Sequence, residues 1–350
     1  PLWMKAVDKV IWDTLFFLFG GKAYEIFALL FGLTFYIQSD NQAKKGKDFR
    51  GRFAWRMFLL LLFGIVNSAF YEGDVLTIYA LIGYFLLPFA KMGNKTVLII
   101  ALFLMLQPYE WGVFFHALQN PDALVGDPKS WAYFGRAWEY IPGNSLIKTW
   151  IGNLTNGKTA VLIWTWEEGR AFQTLSLFML GMLSGRKGLF QQTEKNRKFW
   201  LIALLVSALV FIPLFLLKSV IVPGIESAAV RRPLGIIVQA WSNFSFMLVL
   251  VSAFTLLFWS KALNKALNVF SPLGRMSLSN YMIQSLVGSF IYYGFGLGLY
   301  QYTGATYSLF IGIVLAILQG VFSAWWFKRH HHGPLEWLWH QATWIELKKK

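Results

Sequence analysis

The amino-acid sequence predicts an all-α fold, a polytopic transmembrane helical bundle, on the basis of composition, segment length and charge distribution. Of the 350 residues, 56% are hydrophobic and only 14% are charged, whereas about 25% of the residues in soluble domains carry a charge. The 17 Trp, 14 Tyr and 33 Phe residues are typical of membrane proteins, which place aromatic side chains at headgroup level. A soluble globular protein is therefore excluded. The lack of cysteine also excludes disulfides and thiolate metal sites.

Nine apolar segments are each long enough to cross a bilayer, which takes about 17–25 residues. They follow an amphipathic stretch, 1–19, in which charged and apolar residues alternate with the spacing of an interfacial helix. In chain order the segments are 22–38, 53–71, 74–91, 95–115, 171–186, 199–217, 235–258, 277–299 and 306–327. We therefore expect nine spans within residues 1–327 and interfacial helices at both ends of the chain.

Basic residues are unevenly distributed between the two sets of loops. Threading the nine segments alternately across the bilayer places 21 basic and 5 acidic residues on one side, a net charge of +16, and leaves −1 on the other. Because cytoplasmic loops are enriched in Lys and Arg, the basic side is predicted to be cytoplasmic. The net charge is then a topology signal, and no nucleic-acid partner is expected. We predict a multi-pass protein of the bacterial inner (plasma) membrane with a cytoplasmic C-terminus.

Two parts of the chain lie outside the predicted spans. The connection 116–170 is on the outer side and contains five Trp residues, which suits a cap that rests on the lipid headgroups. Residues 328–350 are predicted to form a cytoplasmic interfacial helix after the break at Gly333–Pro334, with Lys348–Lys350 contacting anionic membrane lipids. The predicted organisation is therefore a bundle over 1–327 with an outer cap, followed by this C-terminal helix.

Three short motifs are predicted to be structural. Residues Gly152–Thr159 match the phosphate-binding loop formula, but that loop joins a strand to a helix, and no such unit surrounds this segment. No nucleotide is expected there. His330–His332 are adjacent and cannot all face one ion on a helix, so no metal is expected. Gly181 and Gly185 lie four residues apart in an apolar segment and predict a close helix–helix contact.

Polar and ionisable side chains inside spans are costly in lipid, and this makes them functional candidates. Turned inward, they would gather around a polar cavity that the bundle encloses. The residues predicted to line this cavity are Asn67, Asp74, Asn280 and Gln284, with Arg275 at its cytoplasmic mouth. Three secondary candidates are Glu25, Arg56 and Glu336. Asp74 also suits the N-cap of a helix, and no catalytic residue is assigned.

Structural roles remain open for other members of this set. Glu25 would be neutralised by an ion pair with Lys22 or Arg170, if either lies close to it. Asn280 and Gln284 are four residues apart on one helix face. They would form either a wall of the cavity or a hydrogen-bonded seam between two helices.

Four blocks of the sequence resemble the YeiB family of bacterial membrane proteins, the family of unknown function numbered 418. The blocks are Phe27–Gly32, Gly73–Ala80, Gly274–Gln284 and Gly333–Thr343. The resemblance implies a further span before residue 1, with an Asp-x-x-Arg-Gly motif, and hence ten spans in the full-length protein. It also implies a distant similarity to membrane acyltransferases. Asn67 stands where family members commonly carry a His, and an amide cannot act as a general base near neutral pH.

Three functions are compatible with these observations. The first is transport or permeation of a small anionic metabolite, attracted by Arg56 and Arg275 on the inner side and gated by Glu25 and Asp74 on the outer side. The second is an acyltransferase-like enzyme whose cytoplasmic acyl-coenzyme A is held by the loop arginines 50–56 and by Arg275. The third is a non-catalytic membrane scaffold. Only the second requires a coenzyme; otherwise no cofactor is expected, and the partners are lipids and a small-molecule ligand.

Overall fold

The computed structural model describes residues 2–345, and every regular element in that range is helical. The predicted all-α fold is therefore confirmed. The first ten helices are α1 Leu2–Phe19, α2 Lys22–Ala43, α3 Arg50–Phe70, α4 Leu76–Tyr84, α5 Asn94–Met105, α6 Pro108–Gln119, α7 Lys129–Gly135, α8 Leu146–Gly152, α9 Lys158–Glu167 and α10 Arg170–Arg186. The next seven are α11 Glu194–Leu216, α12 Ala228–Phe258, α13 Lys261–Leu267, α14 Ser271–Arg275, α15 Ser277–Tyr292, α16 Ala305–Trp326 and α17 Pro334–Thr343.

Six segments within residues 2–345 are long and apolar enough to cross a membrane. They are Trp3–Ala43, Arg50–Phe70, Asn94–Gln119, Glu194–Gly224, Ala228–Phe258 and Ala305–Trp326. These segments support a membrane protein, but the expected count of nine spans is not confirmed. The other three expected segments, 74–91, 171–186 and 277–299, contain the shorter helices α4, α10 and α15. Helix α10 has 17 residues and a length of about 26 Å, slightly less than a hydrocarbon core of about 30 Å.

The expected segment 95–115 consists of two helices rather than one. Helix α5 ends at Met105 and α6 begins at Pro108, which lacks the N–H that an unbroken helix would need. Between them, Gln107 adopts a left-handed backbone conformation with φ of 60°. The break therefore falls in the middle of an otherwise apolar 26-residue stretch.

Helices α1 and α2 are also separated by a sharp turn. Gly21 has a φ of 82°, a conformation that costs glycine little because it has no Cβ. Before the turn, Asp8 of α1 accepts a hydrogen bond of 2.8 Å from the backbone N–H of Thr306, at the start of α16. The Phe17 ring contacts the rings of Phe211 and Phe246. Helix α1 therefore contacts α11, α12 and the start of α16.

Helix α10 is at the centre of the molecule and packs closely against α2. The backbones approach so closely that a methyl group on Gly181 would overlap the Leu29 carbonyl oxygen of α2. A methyl group on Gly185 of α10 would likewise overlap the Tyr36 ring of α2. Conversely, a methyl group on Gly32 of α2 would overlap the Phe178 carbonyl of α10. The close contact predicted for the α10 glycines is confirmed. Small residues permit this distance, which maximises van der Waals contact between helices.

The two ends of the bundle differ in character. One end, here called the cap end, contacts the connection 116–170. The other, the basic end, carries the loops 44–49, 187–193 and 328–333. Polar contacts connect its segments, such as the hydrogen bond of 2.7 Å that the Arg186 guanidinium at the end of α10 donates to the Met92 carbonyl before α5.

The cap is helical and is anchored to the bundle. Helices α7, α8 and α9 form most of it, and the carboxylate of Glu167 accepts hydrogen bonds from the Ser130 backbone N–H and hydroxyl. The Asn153 amide donates a bond of 2.9 Å to the Ala69 carbonyl at the end of α3. The segment that matched the phosphate-loop formula joins α8 to α9 through a π-helical turn, Asn153–Gly157, and no strand precedes it among the described residues.

Helix α17 packs against the basic end. Pro334 occupies its first turn, where a missing backbone N–H costs nothing. The Arg56 guanidinium lies 3.9 Å from the centre of the Trp339 ring, and the Arg52 guanidinium donates to the Thr343 carbonyl. The predicted lipid contacts of Lys348–Lys350 lie outside the described residues.

Candidate functional site

The predicted site residues Asn67 and Asp74 form a compact buried cluster, here called the Asp74 cluster. Helices α3 and α4 run antiparallel, so the last turn of α3 faces the start of α4 across a short connection. Asn67 donates a hydrogen bond of 2.9 Å to Asp74 Oδ1, while the Thr77 backbone N–H and hydroxyl donate to Asp74 Oδ2 at 3.1 and 2.8 Å. Asp74 thus caps the start of α4, and both of its carboxylate oxygens accept hydrogen bonds.

Lys158 of α9 completes the Asp74 cluster from the cap. Its ammonium lies 3.3 Å from Asp74 Oδ2 and 3.0 Å from the Thr77 hydroxyl. Burial lowers the pKa of Lys158, and the Asp74 carboxylate opposes that shift. Sequence reasoning missed this partner because Lys158 is 84 residues away along the chain and was considered only within the phosphate-loop formula.

Helix α15 brings two of the resembling blocks together through Tyr281. The Tyr281 hydroxyl accepts a hydrogen bond of 3.2 Å from the Val75 backbone N–H. By contrast, Asn280 donates to the Ser323 hydroxyl of α16 at 3.1 Å. Successive residues on a helix point about 100° apart, so Asn280 faces α16 while Tyr281 faces the Asp74 cluster.

Gln284 also belongs to the contact between α15 and α16. Its amide donates a hydrogen bond of 2.8 Å to the Gln319 carbonyl oxygen, and Gln319 in turn donates to the Asn280 backbone carbonyl. These amides form a hydrogen-bonded seam between two helices, one of the two arrangements that the sequence left open. The structure therefore separates Asn280 and Gln284 from the Asp74 cluster and does not join the four residues around one cavity.

The remaining predicted residues of the basic end form the contacts between α17 with its linker and the bundle. Arg275 is exposed, lies 4.1 Å from the centre of the Phe327 ring and donates to the His331 carbonyl. Glu336 accepts hydrogen bonds from the Ser279 backbone N–H, at 3.0 Å, and hydroxyl. Arg56, besides its contact with Trp339, donates to the Thr343 hydroxyl. None of these three residues lines either of the two cavities described next.

Two adjoining cavities open at the cap end. The larger has a volume of about 410 Å³ and lies between the cap and the start of α12. The smaller, of about 190 Å³, lies between α1 and the ends of α2 and α11. Gln239 of α12 lines both cavities. Their charged lining residues are Asp127, Glu168, Arg231 and Arg232 in the larger cavity, and Asp13, Lys22 and Lys218 in the smaller.

A second polar cluster, here called the deep cluster, lies beside these cavities and consists of Tyr24, Glu25, Gln107, Arg170 and Gln173. Glu25 is fully buried, and its Oε1 accepts a hydrogen bond of 2.8 Å from the Gln173 amide. The Tyr24 hydroxyl donates to the carbonyl oxygen of the same Gln173 side chain. The Arg170 guanidinium lies 4.5 Å from the centre of the Tyr24 ring. Glu25, a secondary candidate in the sequence, is therefore part of a larger polar arrangement.

Several atoms of the deep cluster lack hydrogen-bond partners. In the part of the chain that the structure describes, Glu25 Oε2, both side-chain polar atoms of Gln107 and the Nε and Nη1 atoms of Arg170 are buried and have none. Folded proteins satisfy most buried polar groups. A concentration of unsatisfied groups beside a cavity therefore indicates a place for water or a ligand.

Gln107 has a strained backbone as well as an unsatisfied side chain. It is the only non-glycine residue with a positive φ between residues 2 and 345, and left-handed conformations are uncommon for residues with a Cβ. Its side chain packs against Gly169, where a methyl group would clash with Gln107 Oε1. Gly169, which immediately precedes Arg170, has a φ of 64°. Strain of this kind often marks a functional site.

The electrostatics at the edge of the deep cluster follow from burial. Burial raises the pKa of Glu168, while the positive charges of Arg170 and Arg232 oppose that shift. No group of three or more potential metal-ligating side chains occurs within the described residues. The charged and amide side chains at the cap end are suited to binding charged or hydrogen-bonding groups.

Sequence reasoning missed Gln107 and Gln173, and it considered Arg170 only as an ion-pair partner of Glu25. A usable signal was present for both missed residues, because Gln107 immediately precedes Pro108 inside an apolar segment and Gln173 lies inside another. Amides at such positions are costly unless they face inward. Their proximity to Glu25 depends on the packing of α2, α5 and α10, which no local pattern encodes.

Comparisons with known proteins place the chain in a family without assigning an activity. Residues 184–346 match the family model described as protein of unknown function (DUF418). The chain is 28% identical to the "Uncharacterized protein YxaH" of Bacillus subtilis (strain 168), over 99% of this chain and 86% of that protein. It is 23% identical to the "Uncharacterized 39.9 kDa protein in amylase 3'region" of Bacillus acidopullulyticus, over 99% of this chain and 88% of that protein.

A third similarity covers a shorter region. The chain is 36% identical over 70 residues to the "Uncharacterized protein YeiB" of Escherichia coli (strain K12), which is 20% of this chain and 18% of that protein. No solved structure matches the chain. The resemblance read from the sequence blocks is confirmed, since these matches support a YeiB-like family of unknown function, DUF418.

Proposed function

We propose that this protein transports a small metabolite bearing an anionic group, or allows it to permeate, across the bacterial plasma membrane. The observation that carries this proposal is the pair of cavities at the cap end, which adjoin at Gln239 and border the deep cluster. Four basic side chains line the cavities against three acidic ones, and Arg170 lies behind them with unsatisfied N–H groups. Guanidinium groups suit the recognition of carboxylates and phosphates.

The proposed orientation places the basic end in the cytoplasm and the cap end outside. Its support is the net charge of +16 against −1 in the two sets of loops. We also propose nine spans in this chain. Helices α4, α10 and α15 would be the three short spans, covered by longer neighbours, and fully buried residues such as Leu177 and Phe178 are consistent with this position for α10.

Transport is preferred to acyl transfer because the groups that an acyltransferase would need are already engaged. Asp74 is bonded to four side chains and one backbone N–H, so both of its carboxylate oxygens are already engaged. Arg52 and Arg56, proposed to hold acyl-coenzyme A, donate to α17. A scaffold function would give no reason for unsatisfied buried groups beside a cavity.

The test is solute uptake by the purified full chain reconstituted in liposomes. The probes are radiolabelled small carboxylates and phosphate, and the cavity variant is Arg231→Gln with Arg232→Gln. Its matched control is Lys148→Gln, which removes a charge from an exposed position in the cap. We expect saturable uptake of at least one probe, a decrease of about ten-fold in the cavity variant and parent-like uptake in the control.

Two results would contradict this proposal. One is that no probe enters at a rate above that of protein-free liposomes. The other is consumption of acyl-coenzyme A by the same preparation in the presence of a sugar acceptor, which would establish the acyltransferase alternative instead.

A further inference from the structure

The deep cluster contains two opposite charges that are neighbours without being bonded to each other. Arg170 lies over the Tyr24 ring at 4.5 Å, and Glu25 is the next residue after Tyr24. Gln173, one turn after Arg170, donates to Glu25 Oε1 at 2.8 Å. Nevertheless, Glu25 Oε2 and the Nε and Nη1 atoms of Arg170 have no partner among residues 2–345.

This separation is physically unusual. Opposite charges attract strongly where water is scarce, so two flexible side chains that can meet normally do so. Here the aromatic rings of Tyr24 and Trp164 hold the Arg170 guanidinium, with ring centres 4.5 and 4.6 Å away. Gln173 holds Glu25 through Oε1 and is itself fixed by its bond of 3.1 Å to the Ala240 carbonyl. Each charged side chain is therefore held in one orientation, while Glu25 Oε2 and the Nε and Nη1 atoms of Arg170 have no hydrogen-bond partner among the described residues.

Gln107 adds a third binding group to the same place. It is fully buried, and both its carbonyl oxygen and its amide nitrogen are unpartnered within the described range. An amide can accept from an ammonium group and donate to a carboxylate. The strained backbone holds this side chain against Gly169, next to Arg170, so the amide is oriented before any ligand arrives.

Both cavities at the cap end lie close to the deep cluster. Ile236 lines the larger cavity. Its side chain and the side-chain amide of Gln107 both pack against Gly169, the residue before Arg170. Lys22, one turn before Glu25 on α2, lines the smaller cavity. Each cavity is therefore lined by a residue that neighbours the deep cluster.

We propose that the deep cluster binds both charged ends of a small zwitterion of the α-amino-acid class. Arg170 takes the carboxylate, Glu25 takes the ammonium group, and Gln107 bonds to either. A simple carboxylate would satisfy Arg170 but would meet the Glu25 charge, and a simple amine would face the converse problem. This inference deepens the proposed function, on which it rests, by naming the substrate class.

The experiment measures binding to the purified full chain in detergent by thermal unfolding and by isothermal titration. The probes are the twenty common α-amino acids, followed by two analogues of the best binder, the carboxylate without its amino group and the amine without its carboxylate. We expect at least one amino acid to raise the melting temperature. Each analogue should bind at least ten-fold more weakly than the amino acid.

Variants test the assignment of the two charges. Glu25→Gln keeps the shape of the side chain and its contact with Gln173. It should weaken amino-acid binding at least ten-fold and strengthen binding of the carboxylate analogue, because the repelling negative charge is gone. Arg170→Lys should weaken binding of the carboxylate analogue more than binding of the amine analogue. Glu139→Gln, at an exposed position in the cap, is the matched control. If Glu25→Gln does not fold, the analogue series on the parent protein still decides.

The outcomes separate this inference from the proposed function. If no amino acid binds, or if the carboxylate analogue binds as tightly as its amino acid, the zwitterion site is wrong and the unsatisfied groups are hydrated. Uptake of simple carboxylates into liposomes would then leave the proposed function standing. If amino acids bind as expected but no solute is taken up, the proposed function is wrong and the binding site stands.

Discussion

Removing the Lys158 charge from the buried ion pair in the Asp74 cluster should destabilise the protein more than removing both charges. The Asp74 side chain has no exposed surface and the Lys158 side chain is only 13% exposed. Lys158→Met keeps the length of the side chain but leaves the Asp74 carboxylate buried without its cation. Breaking a buried pair in this way costs about 3–5 kcal/mol. The three bonds from Asn67 and Thr77 remain, so we expect about 3 kcal/mol.

The reverse single variant, Asp74→Asn, should cost less. The NH₂ group of the new Asn side chain would face hydrogen-bond donors, either those of Thr77 or that of Asn67. Because the Asn67 carbonyl oxygen has no partner among the described residues, the Asn67 amide can flip and accept from the new side chain. Lys158 keeps its bond of 3.0 Å to the Thr77 hydroxyl and its limited exposure. We expect a cost of about 1–2 kcal/mol, mainly from the lost charge-assisted hydrogen bonds.

The double variant isolates the interaction. Asp74→Asn with Lys158→Met removes both charges and should cost about 1–2 kcal/mol, well below the sum of the single variants, which gives a coupling of about 3 kcal/mol. The assay is reversible unfolding in mixed micelles, followed by Trp fluorescence and circular dichroism. Additive costs, or a loss below about 1 kcal/mol for Lys158→Met, would show that the charges are solvated and would refute this reasoning.

Three further predictions concern packing, strain and topology. Gly181→Ala should lower the free energy of unfolding by about 1–3 kcal/mol through overlap with α2. Its control, Gly112→Ala, has open space around the new methyl group and should raise the free energy of unfolding by about 0.5–1 kcal/mol. Equal effects of the two variants in thermal unfolding would contradict the close contact. Gln107→Gly should stabilise the fold by about 1 kcal/mol by relieving its backbone while abolishing solute binding, and a loss of stability would show that the conformation is not strained. In the cysteine-free chain, an impermeant maleimide added to intact cells should label a cysteine at Glu139 and not at Lys47, and the opposite pattern would reverse the orientation.

Some features of the site could be predicted from local sequence alone. Asn67 and Asp74 are separated by a short connection between two apolar segments, so any antiparallel arrangement of α3 and α4 brings them together. The Gly181–Gly185 spacing likewise predicts a close contact because it depends only on the helix period. Each of these inferences needs one helix or one hairpin and no knowledge of which helices are neighbours.

Other features could not be predicted because they depend on which helix packs where. Asn280 and Gln284 were expected beside Asp74, but the rotation of α15 turns them to α16 and turns Tyr281 to the Asp74 cluster. A rotation of one residue position, about 100°, decides between these faces. Both faces of α15 carry polar residues, so hydrophobic periodicity does not distinguish them.

The sequence by itself indicated a lipid environment, the all-α fold class and the resemblance to the YeiB-like family. Apolar segment length and low charge require lipid and helices, because a lipid-exposed backbone must satisfy its hydrogen bonds internally. The tertiary structure alone decided which polar residues meet. The Lys158–Asp74 pair joins residues 84 positions apart, and the Glu25–Gln173 bond joins residues 148 apart. Such contacts result from the packing of whole helices, where many weak interactions along each surface, rather than any local motif, select the neighbour.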